Sequence, residues 1–199
     1  MNFTSIPFLM FFLPPALLAH YAVRSKAGAN AVLLGFSLLF YGLYDAKYLL
    51  FLAFSILVTF CAGLYSRKLY AQGTERAGST VLYSALFLNI LVLLVCKYTG
   101  FALSNVNQLL RPLGIALEVP QILLPVGLSF YVFQSSSYLL DIQSGKLEPE
   151  QNILNYALFV SFFPTITSGP IQRGPDLLPQ INSKRSLTWD NFRHAFLLI

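Results

Sequence analysis

The chain has 199 residues, of which 56% are hydrophobic and 11% charged, with a mean hydropathy of +0.63. A soluble domain carries about 25% charged residues, so this chain has too little polar surface to coat a globule in water and reads as a polytopic membrane protein. The net charge of +5 does not describe a nucleic-acid binder, because the bases lie singly and in pairs between apolar runs rather than on one face.

Five apolar runs approach spanning length, near residues 6–22, 27–44, 48–65, 78–96 and 122–140. No Lys or Arg precedes the first, which is closed by Arg24 and Lys26. A secretory signal places its charge in front, so this run is expected to be an uncleaved span with its N-terminus outside. Pro14-Pro15 lies inside it, where a kink is expected. The second run ends at Asp45 and Lys47, and its Gly35 and Gly42, seven apart, predict close helix packing. The third ends at Arg67 and Lys68 and the fourth at Lys97. Asn89, alone in the fourth, is expected to bond between helices or to contact substrate. Cys61 and Cys96 fall at opposite membrane ends in this topology and are read as small buried hydrophobes.

The inner loops then hold Arg24, Lys26, Arg67, Lys68, Arg76 and Lys146, against Lys47, Lys97 and Arg111 outside. That bias follows the positive-inside rule. Between the fourth and fifth runs, Ala102, Val106, Leu109, Leu110 and Leu113 keep helical spacing while Asn105, Gln108 and Arg111 take another side. This predicts a short amphipathic helix in the outer interface. A second short apolar helix is expected from about Ile153 to Phe163, too short to cross. At the end, Thr188 is placed to cap a new helix from Trp189. The predicted fold is therefore all-α: one polytopic membrane bundle, with an interfacial helix and a re-entrant Pro/Gly-rich segment near 152–181.

The fifth run, LLPVGLSFYVFQSSSYLLD, carries the main polar feature. Tyr131, Gln134, Tyr138 and Asp141 fall on one helical face, with Ser137 beside them. Polar stripes on membrane helices face the bundle interior or a cavity. Both an interhelical hydrogen-bonded seam, with Asp141 capping the inner end in water, and a polar cavity fit. The stretch from Pro164 to Pro179 holds four of the chain's 11 prolines and glycines Gly169 and Gly174. Broken backbone at membrane depth is tolerated only inside protein or along a water-filled cavity. This stretch either lies outside the bilayer as a loop or lines such a cavity. Asp141, Glu148 and Glu150 are read as a solvated acidic group. The sequence shows no glycine-rich phosphate loop, Cys/His metal set or nucleophile elbow.

LLPVGLSFYVFQSSSYLLDIQSGKLEP and YALFVSFFPTITSGPIQRGPDLLPQI, with FYGLYDAKYLLFL and CKYTGF before them, resemble the membrane-bound O-acyltransferase family. The similarity is strongest to its bacterial branch of alginate O-acetyltransferases and teichoic-acid D-alanyl transfer proteins. The resemblance implies a helical fold around a tunnel in the plasma (inner) membrane. It implies transfer of an acyl group, acetyl first among the choices, from a cytoplasmic donor to a cell-envelope polysaccharide or a partner acyltransferase. The donor is then acetyl-CoA or an acyl carrier's phosphopantetheine, and the partners are a carrier protein inside and polysaccharide machinery outside. Tyr131, Gln134, Tyr138 and Asp141 become candidate tunnel-lining residues. Ser168, Gln172 and Arg173 become candidates at the cytoplasmic entrance, Arg173 as a contact to an anionic donor or as a base at the headgroups. The family's histidine has no counterpart here: His20 closes the first run and His194 opens the last. The chain is therefore expected to be part of a longer enzyme and inactive alone. The competing expectation is a non-enzymatic membrane protein, transporter-like or an assembly subunit.

Overall fold

The computed structural model describes residues 5–111, 118, 120, 124–167, 169–183 and 193. All regular elements among them are helical: a π-helical turn Phe8–Phe12, then α1 Leu13–Ala22, α2 Lys26–Gly42, α3 Tyr48–Ala71, α4 Glu75–Leu110, α5 Leu128–Gln143, α6 Ile153–Ser161, α7 Phe163–Ile166 and α8 Gly174–Ile181. Two of them, α3 with 24 residues and α4 with 36, are long and apolar enough to cross a membrane. The shorter α2 and α5 have 17 and 16 residues.

The Pro14-Pro15 pair is absorbed before it rather than at it. The π-turn widens the helix so that the Leu13 amide donates to the Phe8 carbonyl, five residues back. The two prolines then occupy the first positions of α1, where no amide is missed. Helix α2 begins at Ser25, whose hydroxyl accepts from the Gly28 amide at 3.2 Å.

α3 and α4 form an antiparallel hairpin. Gly73, at φ +73°, turns the chain between them. Beyond the turn Tyr70 lies across Gly78 so closely that a Cβ there would sit 2.4 Å from the ring. The expected break after Cys96 is absent: the amphipathic stretch from Ala102 to Leu110 continues α4. The polar groups there bond back into their own helix, Thr99 to Val95, Ser104 to Gly100 and Asn105 to Phe101, at 2.7 to 2.9 Å. At 1.5 Å per residue, α4 measures about 54 Å, well beyond an apolar bilayer core of about 30 Å.

Three further expectations are corrected. Gly35 faces open space, and only Gly42 is packed, against Leu49. The amide nitrogen of Asn89, although buried, has no partner among the described residues. Cys61 is exposed and Cys96 half-buried, both free, so Cys61 is no core residue. The helix predicted from Thr188 lies outside the described residues.

The core has two aromatic centres. Phe8 and Phe12 meet Phe40 of α2 and Phe163 of α7, with ring centres 5.5 to 6.2 Å apart. Phe60, Tyr138, Tyr156 and Phe159 form the second, with Tyr138 and Tyr156 only 4.5 Å apart. Aromatic pairs at these spacings add about 0.5–1.5 kcal/mol each beyond area burial. The second centre places α5 against α3 and α6, beside the polar stripe.

Candidate functional site

α5 starts at Leu128, six residues later than the apolar run suggests. The reason is Gly127, at φ +76°. A Cβ on it would stand 2.2 Å from the Ile166 carbonyl oxygen, so this turn requires glycine both for its backbone and for contact with the end of α7. The same approach sets α5 against the broken segment.

All four stripe residues are buried, at 0 to 2% exposure. Each has a separate setting. Tyr131 meets Tyr41 of α2 edge-on, ring centres 6.2 Å apart. Gln134 donates to the Phe159 carbonyl at 2.7 Å. The Tyr138 hydroxyl accepts from the Glu150 amide at 3.0 Å, and its ring lies against the positions of Gly63 and Gly174. Asp141 receives the Arg173 guanidinium. Ser137 turns back to its own helix, donating to the Gln134 carbonyl at 2.8 Å. Among the described residues the stripe is thus buried between helices and only partly hydrogen-bonded, since the Tyr131 hydroxyl and that of Tyr41 facing it are buried without partners. Asp141 does not cap the helix in water as expected: it is sealed beneath α8.

The break between α6 and α7 accounts for its own backbone groups. Asn152 caps α6 by accepting from the Leu154 amide at 2.9 Å. At the other end Phe162 is extended, at ψ 111°, and the chain restarts as α7 with Pro164 in its first turn. The Phe159 carbonyl is met by Gln134, and the Phe163 amide donates to Ser37 of α2 at 3.2 Å. Both groups would be orphans in an apolar setting. The backbone groups freed at the break are therefore met by polar side chains of α2 and α5, while Pro164, Pro170 and Pro179 are themselves exposed.

Arg173 is the residue before α8, and its carbonyl accepts the Asp176 and Leu177 amides. Its side chain is 54% exposed, whereas that of Asp141 is 1% exposed. The second carboxylate oxygen of Asp141 is buried and has no partner among the described residues. Gln172, the residue before Arg173, is half-buried. Ser168 and His194 lie outside the described residues. His20, half-buried, places Nδ1 3.1 Å from the Ala29 carbonyl, an ordinary bond joining α1 to α2. The acidic group also divides: Glu148 pairs with Arg67 at 3.5 Å, and Glu150 belongs to a network that sequence reasoning missed.

That network runs through three asparagines. Asn30 of α2 donates to the Asn155 side chain and the Ile181 carbonyl, both at 3.0 Å. Asn155 of α6 donates to Asn182 at 2.7 Å, and Asn182 donates to Glu150 at 2.7 Å. Glu150 also accepts the amides of Gln151 and Asn152, and Lys26 donates to the Asn182 carbonyl at 2.8 Å. The end of α8 is thereby tied to the starts of α2 and α6. The available signal was a lone asparagine in each of two apolar helices.

Comparison with known proteins gives the geometry a context. No family profile matches the chain, and no solved structure matches it. It is similar to a probable alginate O-acetylase of Pseudomonas aeruginosa, 33% identical over 96% of this chain and 36% of the relative. A probable alginate O-acetylase of Azotobacter vinelandii is 32% identical over 96% of the chain and 38% of its own length. A peptidoglycan O-acetyltransferase of Helicobacter pylori is 28% identical over 96% of the chain and 40% of the relative. The chain thus spans less than half the length of these relatives. They and the two long apolar helices indicate a membrane protein. Similarity along nearly the whole chain agrees with the ordered motifs read from the sequence, and the chain is similar throughout to part of the alginate O-acetylases.

Proposed function

We propose that this chain forms part of a membrane O-acetyltransferase that moves an acetyl group from a cytoplasmic donor to a hydroxyl of a cell-envelope polysaccharide. The observation that carries the reading is the similarity to alginate O-acetylases over 96% of the chain. In the transfer, the donor thioester C–S bond breaks and an ester C–O bond forms. The acceptor hydroxyl proton ends on the released thiol. The donor is acetyl-CoA or an acyl carrier's phosphopantetheine, and the acceptor-side partners are polysaccharide machinery outside the cell.

On this reading the protein lies in the plasma (inner) membrane as a multi-pass bundle with its N-terminus outside. The broken segment 152–181 is re-entrant on the cytoplasmic side. Tyr131, Gln134, Tyr138 and Asp141 stand beside the donor path, and Ser168, Gln172 and Arg173 stand at its entrance. The packing of α6, α7 and α8 on α5 supports this arrangement, since it brings Arg173 to the foot of the stripe. Arg173 has the donors and exposure for a phosphate oxygen.

The test is complementation. The complete gene is expressed in a bacterium lacking its envelope O-acetylase, and ester-linked acetate on the polysaccharide is measured. Restored acetate supports the reading. Unchanged acetate, with the protein present in the membrane, refutes it.

A further inference from the structure

We infer that Asp141 is an internal counter-ion that competes with a phosphate-bearing ligand for Arg173, so that the guanidinium exchanges between the two. The inference rests on the donor reading above and goes beyond it, by giving Asp141 a role opposite to that of Arg173.

The pair is unequal. Asp141 is sealed at 1% exposure, while half of the Arg173 side chain is open. Among the described residues, one guanidinium nitrogen meets one carboxylate oxygen, and the other oxygen is buried without a partner. A pair kept only for stability gains most from two parallel bonds. A buried carboxylate met on one side alone is a poor source of stability. Arginine has five N–H donors, so most of this guanidinium's capacity faces outward.

The neighbouring acids do not share the task. Glu148 is paired with Arg67, and Glu150 accepts from Asn182 and from two amides. Asp141 is therefore the acid that masks Arg173. Its charge opposes any anion at Arg173 whether the guanidinium swings away or bridges both groups, because like charges repel strongly near a low-dielectric interior. After acyl transfer the spent donor has to leave. A return partner for Arg173 keeps the anion from being held too tightly.

The experiment uses the full 199-residue chain in lipid nanodiscs, titrated calorimetrically with coenzyme A and, as a phosphate-free control, pantetheine. The expected result is that coenzyme A binds and pantetheine does not. Arg173→Gln weakens binding about tenfold or more, with Arg173→Lys between it and wild type, because lysine lacks the fork. Asp141→Asn, which keeps an acceptor for Arg173, tightens binding by about threefold or more. If Asp141→Asn weakens binding as Arg173→Gln does, the pair is scaffold and the inference falls. If coenzyme A binds wild type and all three variants alike, the site lies elsewhere, and the inference falls while the donor reading stands. If neither wild type nor Asp141→Asn binds coenzyme A, the inference falls, and the donor reading is decided by the complementation test. Melting temperatures of all variants accompany the titrations, and a variant that has lost its cooperative transition is replaced by Arg173→Lys or Asp141→Ser.

Discussion

The side-chain amide of Gln134, in the middle of α5, reaches across 2.7 Å to the carbonyl of Phe159, near the end of α6. A polar residue in an apolar helix thereby answers a backbone oxygen that the break after Ser161 would leave exposed to hydrocarbon. Replacing Gln134 by Leu keeps the volume but orphans that oxygen, at a cost of about 1–3 kcal/mol. Thermal unfolding in detergent should show the loss, with Gln134→Glu restoring stability only at a pH low enough for its carboxyl to be protonated and donate. An unchanged melting temperature in Gln134→Leu would mean that another donor serves Phe159.

Gly127 and Gly73 share a left-handed backbone but differ in surroundings. Alanine at either position strains the backbone by about 1–2 kcal/mol. At Gly127 the added Cβ also meets the Ile166 carbonyl, whereas at Gly73 nothing lies within 4 Å. Gly127→Ala should therefore be distinctly the more damaging in a melting or expression assay. Equal effects would argue against the close approach of the α5 turn to α7.

The asparagine network predicts local rather than global opening. Asn30→Ala removes both of its own bonds, to Asn155 and to the Ile181 carbonyl, and leaves that of Lys26 to the Asn182 carbonyl. Such losses at buried sites cost about 1–3 kcal/mol, and the bond to the Ile181 carbonyl is one that holds the end of α8. Limited proteolysis should find faster cleavage after residue 173 in this variant than in the wild type, with α3 and α4 cut at unchanged rates.

The continuity of α4 is open to a distance measurement. Phe87 and Leu109 are both exposed and 22 positions apart on one helix, so spin labels at these positions should report about 33 Å, plus or minus the linkers. A separate helix lying flat in the interface would give a markedly shorter distance.

The last prediction concerns activity. Since the chain spans little more than a third of the Pseudomonas relative's length, residues 1–199 alone should release no acetyl group to a polysaccharide hydroxyl. Acetyl transfer by the purified chain would return His20 and His194 to consideration.

Much of the site was legible because a helical period projects directly onto space. Tyr131, Gln134, Tyr138 and Asp141 share a face in the sequence and are buried together in the fold. Their partners were not legible. Phe159, Glu150 and Arg173 lie 25, 12 and 32 residues away, and no local pattern encodes which polar group meets which. The same limit hid the network of Asn30, Asn155 and Asn182. The break wrongly expected after Cys96 has a different origin. A change in amphipathic character marks a change of environment, and a helix can cross from one environment to another without ending. At Leu128 the error was reversed: apolar character ran on through Val126, but the backbone had to turn at Gly127.

The aromatic centre formed by Phe8, Phe12, Phe40 and Phe163 also has a temporal meaning. The ring of Phe163 leaves the ribosome some 150 residues after that of Phe12, which at about 5–20 residues per second is a wait of roughly 8–30 s. During that interval the first helix has Phe36 and Phe40 for company but lacks the ring that closes the cluster. Its early neighbours in the nascent chain are provisional, and its final seat is set only when the Pro/Gly-rich stretch arrives.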